Sequence, residues 1–252
     1  MHNERRQLIN KCIQKKGEVK IKELEEMFPD VSSMTLRRDL NHLEEEGHIV
    51  RTWGGAKSIK HLSEHREENY SSRETENINA KVKIAKKAVK LIDTGRSIFL
   101  DSGTTVMCLA EIIPDKSYSI ITSGPNIGME IIKKHNPSIT LIGGQLSRNN
   151  ISISGPNSLD FIKGINVDIA FLAASGFSLE SGFTCGDFNE CELKKHIINK
   201  ARKVIMLMDL SKIDKNLPFT FATLKDIDIL ITENQPAEEI IKVAEENGVK
   251  IL

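Results

Sequence analysis

At 252 residues the chain is long for one small module and comfortable for two domains. Lys+Arg and Asp+Glu each number 35, so bulk charge does not advertise a nucleic-acid partner and any such case rests on local placement. The apolar fraction is ordinary, no apolar run approaches the ~20 residues of a membrane span, and Met1-His2-Asn3-Glu4-Arg5-Arg6 lacks the apolar core of a signal peptide; a cytoplasmic protein with no membrane partner is expected.

The four cysteines, Cys12, Cys108, Cys185 and Cys191, are scattered, with no zinc-finger spacing and no disulfide framework. Cys185 and Cys191 lie near His196, which raises a metal or a nucleophile. Small buried residues in a reducing compartment are the simpler reading, and neither metal nor cofactor is expected.

Three helical patterns open the chain. Leu8, Ile9, Cys12 and Ile13 share one face of a helix that Gly17 can end. Ile21, Leu24, Met27 and Phe28 stripe a short second helix stopped near Pro29. After Asp30-Val31-Ser32, Ser32 or Ser33 can cap a third helix running to about Glu46, with Gly47 as its terminator. His48–Trp53, Gly54-Gly55 and Ala56-Lys57 then read as two short strands around a glycine turn, a wing. Residues 1–60 carry 12 basic and 10 acidic side chains, an excess of only 2.

On the third helix Leu36, Leu40 and Leu43 face the core at i, i+4 and i+7, while Met34, Arg37, Arg38 and Asn41 project to the other side, flanked by Thr35 and His42. Arginine can bind guanine bidentately or clamp phosphate, and Ser33 and Thr35 can bond phosphates or bases. Arg51, Trp53, Gly54 and Gly55 place a wing beside backbone or minor groove, with Lys57 flanking it. The plain alternative for Arg37 and Arg38 is a solvated helix face paired to Asp39 or Glu45. Two short helices, a polar third helix and a glycine wing within sixty residues favour DNA.

The string Ser33-Met34-Thr35-Leu36-Arg37-Arg38-Asp39-Leu40, then Leu43-Glu44, Gly47 and Arg51-Thr52-Trp53-Gly54-Gly55-Ala56, resembles the signature of DeoR-type repressors, S-x-x-T-[IL]-R-R-D-L followed by L-x-x-x-G and R-x-x-G-G-A. Trp53 departs from it, since the family commonly has histidine there. Such a protein is expected to bind operator DNA as a homodimer or homotetramer, because helix-turn-helix proteins read paired half-sites.

From His61 to Asn79 the composition turns polar and charged, a linker or exposed connecting helix. Beyond it helices alternate with apolar strands: Lys81–Ile92, Ser97–Leu100, Val106–Ile113, Ser119–Thr122, Gly128–Lys134, Ile139–Ile142, Leu159–Lys163, Asp168–Ala173, Glu190–Ala201, Val204–Met208, Ile227–Ile231, Ala237–Glu246 and a last strand over Val249–Leu252. The expected architecture is α/β: a winged helix-turn-helix over 1–58, a linker over 59–80, and a Rossmann-like, mostly parallel α/β domain over 81–252. Ligands in such sheets sit beyond the carboxyl ends of the strands.

Asp101-Ser102-Gly103-Thr104-Thr105 follows a strand and opens a helix. Gly103 lets backbone approach an anion, three hydroxyls and free N–H groups can hold phosphate, and Asp101 can accept from sugar hydroxyls; a capped turn with no ligand is the alternative. Thr122-Ser123-Gly124 and Gly143-Gly144 follow the next strands in the same layer of loops. Gly182-Phe183-Thr184, Glu190-Cys191-Glu192-Leu193-Lys194 and Asp209-Leu210-Ser211-Lys212 resemble the family's G-[LF]-T, E-x-E-x-K and D-x-S-K stretches, and Arg73 and Lys81 its connection into the sensor domain. Glu190 and Lys194 also fit an i,i+4 salt bridge, and Lys212 a surface lysine. The family's second domain is similar to sugar-phosphate isomerases and coenzyme A transferases. The resemblance implies a phosphorylated-sugar effector held by Asp101, Ser102, Gly103, Thr104, Thr105, Ser123, Gly143, Glu190, Lys194 and Lys212. The alternative function is a sugar-phosphate isomerase-like enzyme with an added DNA module. Against it, the segment Phe171–Phe177, where related isomerases carry an acidic cluster, has no carboxylate until Glu180, though Glu190 stays open as a base.

Overall fold

A computed structural model describes residues 2–58 and 67–252, which divide into two compact units, Met1–Arg66 and Glu67–Leu252. The expected linker over 59–80 is split by this division. Residues 59–66 lie outside the described residues, and residues 67–80 belong to the larger unit, where Tyr70 is buried and Tyr70–Thr75 is helical.

The smaller unit consists of α1 (His2–Lys16), β1 (Glu18–Lys20), α2 (Ile21–Met27), α3 (Ser33–Glu45), β2 (Ile49–Thr52) and β3 (Gly55–Ser58). Its core is Ile9, Ile13, Val19, Leu24, Leu36, Leu40, Leu43, Ile49 and Ala56. The buried stripe of α1 is narrower than its sequence pattern: Leu8 is 53% exposed while Ile9 and Ile13 carry the packing. Gly17, at φ 79°, ends α1. β1 is too short to show in the sequence, yet it completes an antiparallel sheet in the order β1-β3-β2. Gly55 explains the glycine pair: a Cβ there would stand 2.0 Å from the Val19 carbonyl oxygen, so only glycine lets β3 close on β1.

The larger unit adds α4 (Tyr70–Thr75), α5 (Ile78–Ala88), β4 (Ser97–Leu100), α6 (Thr104–Ile112), β5 (Ser119–Thr122), α7 (Pro125–Ile131), β6 (Ser138–Leu141), β7 (Gln145–Ser147), β8 (Ser152–Ser154), α8 (Pro156–Lys163), β9 (Val167–Ala173), β10 (Gly176–Ser178), β11 (Gly182–Cys185), α9 (Phe188–Lys200), β12 (Ala201–Leu207), β13 (Phe219–Ala222), β14 (Ile229–Ile231), α10 (Glu238–Glu246) and β15 (Lys250–Ile251). Seven parallel strands lie in the order β15-β14-β12-β9-β4-β5-β6. Side chains alternate across this sheet. Ile98 and Leu100 of β4 pack with α5, α6 and α7, while Phe99 faces the cluster containing Ile162, Leu193, Ile197 and Ile240 of α8, α9 and α10. The chain runs from β4 outward through β5 to β6, then returns to lay β9 on the other side of β4. That reversal is a topological switch point, and it opens a crevice beyond the carboxyl ends of β4 and β9. Two small antiparallel sheets, β7-β8 and β10-β11-β13, complete the unit.

Candidate functional site

Helix α3 is capped by Ser32, whose Oγ accepts from the Thr35 N–H at 3.3 Å. Leu36, Leu40 and Leu43 fix its inner face. Asp39 is buried as well, and it is not a partner of its neighbouring arginines. Its carboxylate takes Arg5 Nε at 2.7 Å and Arg6 Nε at 3.0 Å from α1. Arg37 and Arg38 are therefore left exposed, with no ion pair to any described residue, which answers the alternative of an intrahelical pairing. Met34 and Asn41 share this exposed surface and Thr35 lies half-buried at its margin. The Ser33 hydroxyl donates to Glu25.

Trp53, at the tip of the wing, is fully exposed and packs on nothing, so it serves no core. Together with Arg37, Arg51 and Thr52 it lines one open concavity, which puts the wing and α3 on a shared face. Arg51 is steadied by Glu44, which accepts its backbone N–H at 2.8 Å. Gly54 is exposed and Gly55 buried, so the second glycine belongs to strand packing and drops out of the exposed set.

In the larger unit one cleft at the switch point is lined by Arg73, Lys81, Ser102, Gly103, Thr104, Thr105, Asn150, Ala173, Ala174, Ser175, Glu190, Lys194 and Lys212. Seven of the ten expected effector residues are among them. α6 begins here: Gly103, at φ 129°, turns the chain so that the first amides of the helix face outward with no side-chain cap. Lys212 reaches the cleft from a short turn after β12, held by Asp209, which accepts the Ser211 N–H at 3.1 Å. Its side chain is buried, 9% exposed, with no ion pair to any described residue. Lys81, on α5, donates to the Arg73 carbonyl; burial pulls its pKa below the usual lysine range.

Three expected residues stand elsewhere. Asp101 is fully buried beneath the lining. Its Oδ2 accepts from the Ala173 N–H at 3.0 Å and from Lys194, while Oδ1 has no partner. It therefore holds Lys194 and does not itself line the cleft. Ser123 acts at one remove, accepting the Ser102 N–H at 3.0 Å. Gly143 lies outside the cleft, its carbonyl bonded to Ser158 Oγ at 2.6 Å.

Lys194 is the centre of a buried network. It donates to Asp101 and to the Ala173 carbonyl at 2.7 Å, and pairs with Glu190 at 3.1 Å. Burial alone would lower its pKa, but Asp101 and Glu190 outweigh burial and raise it. Burial pushes Asp101 up; for Glu190 burial is overcome by Lys194 and by Asn150, and its pKa falls. Asn150 Nδ2 donates to Glu190 at 2.8 Å and to Glu67 at 3.0 Å, extending the network to Arg73, 3.2 Å from Glu67. Sequence reasoning gave Arg73 and Lys81 only a connecting role and passed over Glu67, Asn150 and Ser175. The Asn149-Asn150 pair between two short strands was the one available signal.

Cys185 and Cys191 are buried, and the Cys191 thiol donates to the Thr220 carbonyl at 3.3 Å. Among the described residues no helix is long and apolar enough to cross a membrane.

Two family models match the chain: a DeoR-like helix-turn-helix domain over residues 5–61 and a DeoR C terminal sensor domain over residues 76–234. The chain is 33% identical over 222 residues to the HTH-type transcriptional regulator GlpR of Haloferax volcanii, covering 88% of this chain and 86% of that protein. To GolR of Listeria innocua it is 32% identical over 98% and 97% of the two chains. To the glycerol-3-phosphate regulon repressor of Escherichia coli it is 29% identical over 96% and 95%. Among solved structures, ribose 5-phosphate isomerase A from Methanocaldococcus jannaschii superposes with a TM-score of 0.41 at 21% identity, over 55% of this chain and 56% of the other, a likeness that carries no functional argument.

Proposed function

Since the chain belongs to the DeoR family of transcriptional regulators, we propose that it represses a sugar-metabolism operon from the cytoplasm and is released by a phosphorylated sugar bound in the switch-point cleft. The observation that carries the effector half is the cationic cleft at the start of α6, where Lys212 is buried without an ion pair among the described residues. A phosphate seated there takes the amides of Gly103, Thr104 and Thr105, the hydroxyls of Ser102, Thr104 and Thr105, and the charge of Lys212 and Lys81. Lys194 and Glu190 meet the sugar end. Asp101 and Ser123 act by positioning Lys194 and Ser102.

On the DNA side, Arg37, Arg38, Asn41, Met34, Thr35 and Ser33 of α3 enter the major groove, and Arg51, Trp53 and Gly54 meet the flanking backbone. What supports this assignment is that Asp39, the nearest carboxylate, is spent on Arg5 and Arg6. Two-fold operators call for a homodimer or homotetramer, to be checked by light scattering. Release by the effector needs a sugar phosphate with different affinities for the DNA-competent and DNA-incompetent states, about 10⁴-fold for a full switch.

Catalysis is disfavoured by the state of Glu190. Both of its oxygens are engaged, by Lys194 at 3.1 Å and Asn150 at 2.8 Å, and its pKa is lowered, so it makes a poor proton acceptor. The test is a titration of the full chain with a panel of sugar phosphates, followed by operator binding in fluorescence anisotropy. One sugar phosphate should raise the melting temperature and weaken operator binding. Turnover of a pentose or aminosugar phosphate would refute the purely regulatory reading.

A further inference from the structure

Glu67 is the first described residue of the larger unit, immediately after the stretch that joins it in sequence to the smaller one. Its carboxylate is saturated. Oε1 accepts from the Ser175 hydroxyl and stands 3.2 Å from the Arg73 guanidinium; Oε2 accepts from Asn150 Nδ2 at 3.0 Å and the Gly186 N–H at 3.1 Å. A guanidinium, an amide, a hydroxyl and a backbone N–H converging on two oxygens are the donor set of an anion-binding site.

Two further observations set this apart from an ordinary buried ion pair. First, three of the four donors, Arg73, Asn150 and Ser175, line the cleft themselves. Second, the fourth is shaped for the carboxylate: a Cβ on Gly186 would fall 2.7 Å from Glu67 Cβ and 2.9 Å from its Oε2. Arg73 also keeps a buried Nε–H with no acceptor, one donor more than Glu67 uses.

We propose that these donors form a second oxyanion subsite of the cleft, one that takes a carboxylate or a second phosphate of the ligand, and that Glu67 is its built-in occupant. The idea rests on reading the cleft as the effector site and extends it: the effector carries two anionic groups. One sits at the start of α6 and the other displaces Glu67. Exchange keeps the charge beside Arg73 balanced, whereas adding an anion while Glu67 stays does not. A phosphate, with more acceptor oxygens than a carboxylate, also satisfies the spare Arg73 Nε–H. Displacement detaches the residue at which the chain enters this unit.

Chemical rescue of the full chain tests this without knowing the effector. Glu67→Ala leaves the donors unfilled, and acetate or inorganic phosphate at tenfold its dissociation constant should then raise the melting temperature by about 3–6 °C over chloride at equal ionic strength. Wild type should respond less than half as much. Glu67→Gln, which fills the space with a neutral amide, should not be rescued, and Glu67→Ala combined with Arg73→Ala should lose the effect. Glu67→Ser likewise removes the carboxylate and spares every donor; it should show the same anion response and carries the test if Glu67→Ala does not fold, whereas Gly186→Ala, whose Cβ would fall 2.9 Å from the Oε2 position, should block the subsite to added anions. Equal responses of wild type and Glu67→Ala, or rescue that survives loss of Arg73, overturn the subsite. Failure of the effector reading shows differently: no sugar phosphate binds and Lys212→Ala changes nothing, while the acetate rescue persists.

Discussion

Lys194 and Lys212 line the same cleft, yet removing them should have opposite consequences. Lys194, Asp101 and Glu190 have side chains only 3%, 1% and 5% exposed. Deleting the lysine strands two buried carboxylates without a cation, and breaking a buried pair in this way costs about 3–5 kcal/mol. For a unit of this size that lowers the melting temperature by roughly 6–20 °C. The deficit should also depend on pH. Without Lys194, both carboxyls ionise less readily in the folded than in the unfolded chain, so the folded state binds more protons and its stability recovers as pH falls from 7 toward 5. Lys212 has no ion partner among the described residues, so Lys212→Ala should leave the melting temperature within about 2 °C of wild type. It should instead weaken a phosphorylated ligand by roughly 10–150-fold, the worth of one charge-assisted hydrogen bond. Calorimetry of both variants at pH 7 and pH 5 is the assay. A Lys194→Ala protein that melts with wild type, or whose deficit grows on acidification, refutes the account of the buried network.

Arg37→Ala and Arg38→Ala should each abolish or strongly weaken operator binding in anisotropy while leaving the far-ultraviolet spectrum and the melting of the larger unit unchanged. If the lost contact is to phosphate, the salt dependence of log K should flatten by about one unit. Gly54→Ala, with nothing within 4 Å of its added Cβ, should be tolerated, whereas Gly55→Ala, 2.0 Å from the Val19 carbonyl, should destabilise the smaller unit by more than about 2 kcal/mol in denaturant unfolding. Burial raises the Tyr70 pKa to about 12, while Asn126 Nδ2 donates to its hydroxyl at 2.6 Å. Between pH 10 and 12 the unfolded chain therefore loses a proton that the folded chain keeps, so stability should fall as pH rises through that window, and Tyr70→Phe should flatten the fall.

The elements that the sequence made legible are those with a strong period. The stripe Leu36, Leu40, Leu43 set the orientation of α3, and the apolar runs between helices announced a parallel sheet whose strands begin within a few residues of expectation. β1, β7, β8, β10, β11 and β13 escaped because they are short and lack the continuous apolar run that marks β4, β5 and β14, and Leu8 was misplaced because the apolar stripe of α1 is wider in sequence than the face the small core covers. For the cleft, short strings that end a strand or open a helix were readable, which is why Ser102–Thr105, Glu190, Lys194 and Lys212 come together. Asp101 was expected in the lining but lies beneath it, since burial depth is invisible in a loop motif. Glu67, Arg73 and Asn150 were unreadable as a set: their association spans 83 positions and exists only once β7-β8 and α4 are packed.

The order of the strands also governs when this cleft can exist. β4 pairs with β9, Ile98 against Ile169, and Lys194 meets Asp101 across 93 positions. None of that can form on the ribosome until β9 and α9 have been made, and pairings so distant in sequence are slow to close. On the proposed reading, a phosphorylated ligand therefore has no partial site to bind on a half-built chain; whatever it stabilises is the finished unit, with Arg73 near the start of this unit and Lys212 toward its end already in place.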